Sequence, residues 1–237
     1  MKRTHATIRR LGACAWLALA GWAGAAAPQR DWPQVPVPGD ARAFWVAEYI
    51  EQNTVPMQIR GLESKAPMKE VSRYYEKWLA ERPGYGVTTL GAVRILGARF
   101  GDYQVTVQLR DTPEGTIGRL VSAAVYEPVG DVQERSARIG RGFPRPAGSQ
   151  VVSDTLSWDQ GQRNRTIVVT NGVSVETNAL YLREQLLRLG WTLVQDRTIE
   201  GGQRSALVFR RTNEEMAVTI VKRDQAYVVT ASQTSPE

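Results

Sequence analysis

Tyr103-Gln-Val-Thr-Val-Gln-Leu-Arg-Asp111 and Met216-Ala-Val-Thr-Ile-Val-Lys-Arg-Asp224 lie at a constant offset of 113 residues. Val105, Thr106, Arg110 and Asp111 recur as Val218, Thr219, Arg223 and Asp224. Both stretches alternate apolar and polar residues, the period of a strand with one buried face. Upstream, an offset of 107 sets Met68 against Val175, Tyr74 against Tyr181, Tyr75 against Leu182 and Leu79 against Leu186. Self-similarity of this kind reads as two copies of one structural unit.

Each copy is expected to begin with two strands, over 43–51 and 55–60 in the first and 152–158 and 165–170 in the second. Gln52-Asn53 and Asp159-Gln160-Gly161 supply hairpin chemistry at the joints. A helix follows, then three strands: 87–96 (interrupted by Gly91), 103–109 and 118–126, against 191–198, 204–211 with 216–222, and 226–232. Met68, Val71, Tyr75, Trp78 and Leu79 share one helix face in the first copy; Val175, Ala179, Leu182, Leu186 and Leu189 do so in the second. Ser174 is placed to cap the second helix and Gly190 to stop it. The expected fold class is α+β: a tandem duplication of a small two-layer module, each a mostly antiparallel sheet on one helix, ββαβββ in order. The modules span 36–126 and 146–234, with an exposed linker over 127–145.

The formal charge is +6, from 30 Lys and Arg against 24 Asp and Glu. Lys2, Arg3, Arg9 and Arg10 precede an apolar run from Leu11 to Ala23 and the small residues Gly24-Ala25-Ala26-Ala27. That order is a secretory signal peptide, assigned to 1–26, with a run too short to span a bilayer. A chain without it keeps a net charge of only +2. The expected compartment is the bacterial periplasm, with secretion as the alternative. Nucleic-acid binding is disfavoured, because phosphate contacts would rest on a local patch alone.

His5 and Cys14, the only residues of their kinds, also lie in the leader. The mature chain therefore has no material for a Ser-His-Asp triad, a cysteine nucleophile or a typical zinc site. No phosphate-binding loop or dinucleotide fingerprint is present. No catalytic residue, metal ligand or cofactor is assigned, and the chain reads as a non-enzyme.

Candidate partner-binding residues come from what the repeat leaves over. Tyr74 and Trp78 stand beside the first helix stripe, and Leu180 and Leu187 on a different flank of the second. Arg135, Arg138, Arg141 and Arg145 concentrate positive charge between the copies and suit an acidic partner. Trp45, Trp78, Trp158 and Trp191 sit at comparable places and read mainly as closing the helix–sheet cores. With its Pro/Gly lead-in, Tyr-containing helix ending in Gly-Trp and closing strands, the unit resembles small periplasmic α+β domains of bacterial secretion and pilus machines. These cues are generic, and no functional residue is carried over from them. The sequence thus points to an envelope adaptor whose partners are envelope proteins. Glycan or polyanion binding through Trp and Arg is the alternative, and a carboxylate-based hydrolase a more remote one.

Overall fold

The computed structural model describes residues 30–125, 132–159 and 161–236; the expected leader, with His5 and Cys14, lies outside them. Strands β1 (Ala41–Gln52) and β2 (Val55–Ser64) lead into helix α1 (Met68–Leu79). Then come β3 (Gly86–Leu90), β4 (Val93–Phe100), β5 (Tyr103–Thr112) and β6 (Gly115–Ala123). A short helix, α2 (Val132–Arg138), precedes β7 (Gln150–Asp159), β8 (Gln162–Asn171) and helix α3 (Val175–Arg188). The chain closes with β9 (Thr192–Ile199), β10 (Arg204–Arg211), β11 (Glu214–Arg223) and β12 (Ala226–Pro236).

All 12 strands form one antiparallel sheet, ordered β3-β4-β5-β6-β2-β1-β7-β8-β12-β11-β10-β9. This corrects the expected tandem of helix-packed two-layer α+β modules. The protein is 56% strand and 17% helix, and the sheet does not stop between its halves. The reason lies at the edges. A module closed on itself would leave β1 and β7 each with a row of unpaired backbone groups. They satisfy one another instead, Ile50, Glu51 and Gln52 facing Ser157, Leu156 and Thr155. The expected strand over 87–96 is also two strands, turned at Gly91 with a φ of 57° that favours glycine.

Side-chain alternation puts the helices on one face of the sheet. α1 packs over β4, β5 and β6, and α3 over β9, β10 and β11. The first core gathers Leu62, Val71, Tyr75, Leu79, Leu96, Val105, Val107 and Leu109; the second gathers Ile167, Val169, Leu182, Leu186, Leu207, Phe209, Val218 and Ile220. Trp191 and Phe143 also belong to the second core. At the join Tyr49 meets Trp158 edge-on at 5.1 Å, so the same face continues from one half into the other.

Polar contacts fix the helix starts. α1 begins at Pro67 without a local side-chain cap, and the distant Asp111 accepts from the Met68 N–H at 2.9 Å. α3 has Ser174 as its cap, accepting from the Thr177 N–H at 3.1 Å. Beside it, buried Asn171 and Asn178 exchange amide hydrogen bonds of 2.8 and 3.0 Å.

Asp154 anchors the centre. Its carboxylate accepts two hydrogen bonds from Arg165, at 2.9 and 2.7 Å, and one from the Gly140 N–H at 2.7 Å. Its backbone bonds Asn53 in both directions at 2.8 Å, across the two halves. Burial pushes the Asp154 carboxyl up, but the Arg165 and Gly140 hydrogen bonds outweigh it and hold the value below the ordinary 3.8. A depressed carboxylate stabilises the fold fully above its unfolded-state value and loses that contribution as pH falls through the folded-state one. Asp154→Ala should lower stability at neutral pH by about 3 kcal/mol, and the gap from the wild type should shrink below about pH 4. Guanidinium unfolding at pH 7 and at acid pH checks both.

Candidate functional site

The sheet ends at two outer edges, β3 and β9. β3, Gly-Val-Thr-Thr-Leu, carries no charge and no proline, and all five residues are exposed. Such an edge lacks the usual devices against strand addition. β9 carries Asp196 and Arg197 and bulges at Val194, between the Gln195–Val208 and Leu193–Phe209 pairs. α3 lies above it. Arg183 ion-pairs with Asp196, which turns the Leu180, Arg183 and Leu187 side of the helix toward β9. Leu180 is 52% exposed and Leu187 47%, with Val194 and Leu189 similarly open. The buried stripe of α3, Val175, Ala179, Leu182 and Leu186, is complete without them.

The other residues singled out from the sequence lie elsewhere. Tyr74 is exposed and edge-on to buried Tyr75, while Trp78 is half-buried and stacks on Phe100 at 4.9 Å. Arg82 lies over the other partner of that stack, 4.7 Å from the Phe100 centroid. Arg135 and Arg138 are in the last turn of α2 and Arg141 is exposed just beyond it. None of these three has a carboxylate partner among the described residues. Arg145 instead turns back to the Gly140 carbonyl at 2.9 Å.

A second concave feature, drawn from residues distant in sequence, lies beside the first core. Residues 30–38 cross the sheet as an extended strap. The strap is held where Tyr75 Oη donates to the Pro36 carbonyl at 3.0 Å and Arg60 to the Val35 carbonyl at 3.2 Å. Trp32 packs against Tyr103 and Tyr49. Between strap and sheet lies a cleft of about 480 Å³. Trp45, Gln58, Arg60 and Ser122 line it from β1, β2 and β6. Trp45 is 50% exposed, so unlike Trp191 it does not close a core.

No family model and no curated protein sequence matches the chain. Among solved structures, a similarity is found to the apo structure of the immunity protein TplEi of the type VI secretion system from Pseudomonas aeruginosa. It has 12% sequence identity over 85% of this chain and 84% of that one, with a TM-score of 0.32. At that level of likeness no residue role is transferred.

The exposed and buried leucines of α3 make separable predictions. Leu180→Glu with Leu187→Glu should leave the melting temperature of the chain nearly unchanged, as for ordinary surface substitutions. Leu182→Ala should destabilise it by about 2–5 kcal/mol through the cavity left in the core. Thermal unfolding followed by circular dichroism distinguishes the two.

Proposed function

We propose that the chain is an exported, non-enzymatic binding or adaptor protein of the bacterial cell envelope, accessory to a secretion or pilus assembly. The observation that carries this reading is the apolar flank Leu180–Leu187 exposed beside the outer strand β9. Large apolar side chains that a helix does not need for its own core suit the anchors of a protein interface. A partner segment can lay its apolar residues against this flank of α3, beside a β9 edge whose charges and bulge disfavour simple strand addition. The arginines of 135–145 offer an acidic partner a separate point of attraction.

The leader expected over 1–26 supports export to the periplasm. Among the described residues no helix is long and apolar enough to cross a membrane, and no group of three or more His, Cys, Asp or Glu is placed to hold a metal ion. The two side chains with large shifts among the described residues have structural work: Tyr75, pushed up by burial, donates to the strap, and Tyr49, pushed up to about 12 by burial and the neighbouring Glu51, donates to Glu51 beside the seam. Both are accounted for without a reaction.

The test is a photo-crosslinking amino acid placed at Leu187 in the full chain, in cells, with a second at Arg73 as an exposed helix position in the other half. A discrete envelope-protein adduct from position 187 only, lost when Leu180→Glu is added, is the expected result. Identical adducts from both positions, or none from 187, would overturn the reading.

A further inference from the structure

We infer that the cleft beneath the strap 30–38 is a binding site for a carboxylate-bearing saccharide of about disaccharide size. This inference is independent of the α3–β9 surface. It starts from strand register. Trp45 faces Arg60 across β1 and β2, and Gln58 faces Ser122 across β2 and β6. Directly paired residues project to the same side of a sheet, and Gln58 and Arg60, two apart on β2, share that side. The four therefore form one contiguous patch, although 77 positions separate Trp45 from Ser122 in the chain.

These are core-side positions. The same face of β2 carries buried Leu62, and the same face of β6 buried Leu120. A sheet meant only to pack would continue with apolar residues there. Instead it presents an amide, a guanidinium and a hydroxyl at the point where α1 no longer covers it. Neither the Gln58 amide nor the Ser122 hydroxyl has a hydrogen-bond partner among the described residues. Arg60 spends one N–H on the Val35 carbonyl and lies 5.6 Å from the Trp45 ring centroid, with no carboxylate partner among those residues. Placing polar groups on a half-buried surface with unused donors and acceptors costs free energy unless something satisfies them.

The ligand class follows from what the patch can satisfy. Gln58 and Ser122 each donate and accept, which matches hydroxyl groups that do the same. Arg60 is a planar fork suited to a carboxylate. Trp45 and Trp32 offer flat apolar surface for the C–H face of a pyranose ring. A volume near 480 Å³ falls in the range of roughly 300–1,000 Å³ for small-molecule sites. Asp31 and Arg30 both border the cleft from the strap, one charge of each sign. Arg60 is left as the group that selects a negative charge.

The experiment is a calorimetric titration of the full chain with a glucuronate-containing hyaluronan disaccharide and with neutral diacetylchitobiose. The acidic sugar should bind roughly tenfold more tightly than the neutral one. Arg60→Met, which keeps the aliphatic stem over Trp45, should abolish that preference. Gln58→Ala and Ser122→Ala should weaken both sugars severalfold. Circular dichroism controls for folding, and if Arg60→Met unfolds the chain the Gln58 and Ser122 variants decide. No binding of either sugar at millimolar concentration overturns the inference, as does binding that the decisive variants leave unchanged. Equal binding of both sugars overturns the choice of a carboxylate-bearing ligand. Tighter binding of the dipeptide N-acetyl-Ala-Ala overturns the saccharide class.

Discussion

The antiparallel pairing of β1 with β7 is the contact on which the rest of the structure depends. Only three residue pairs register there, yet they convert two six-stranded halves into one sheet. The strand order within each half is the same, read from the outside in, so equivalent strands meet at the centre. Around the three pairs the chain adds reinforcement that is not part of the ladder: Asn53 and Asp154 bond reciprocally, and Trp32, Tyr49 and Trp158 form an aromatic chain across the join. Without this seam two long strands would offer their edges to other chains. With it, the free edges are moved to β3 and β9.

The seam also explains where polar side chains are buried. Asp154 is nearly enclosed and would be costly alone, but Arg165 and the Gly140 N–H meet its oxygens, and Arg165 continues to the Arg141 carbonyl at 3.0 Å. The 139–149 segment is drawn onto the second half by this network and by Phe143, which sits in that core. The network thus places the segment between the halves as well as the strands.

Much of the local structure was legible in sequence. Val105, Val107 and Leu109 are buried as their alternation requires, and Val175, Ala179, Leu182 and Leu186 form the buried stripe of α3 as their spacing requires. Leu189 is the exception: it is the C-cap, where helical spacing no longer sets direction, and it is half exposed. The join was hidden because β1 changes register twice, between Trp45 and Ala47 and between Ala47 and Ile50, which scrambles its alternation. β7 has Val152, Leu156 and Trp158 on one side and Ser153, Thr155 and Ser157 on the other, a one-faced pattern that edge and central antiparallel strands share. The cleft was hidden for another reason. Gln58, Arg60 and Ser122 are unremarkable in their own strands, and only the β2–β6 register brings them together. Asp111 was visible as part of a repeat, but its role at the start of α1 depends on a contact across 43 residues.

The length of the sheet has a geometric result. Neighbouring strands rotate by roughly 20–25° relative to each other, always in the same sense. Between β3 and β9 there are 11 such steps. β3 and β9, the two outer strands, lie at opposite ends of that order. A body that approaches one end of the sheet leaves the other edge free, so two bodies held at β3 and β9 would be separated by the full run of strand spacings.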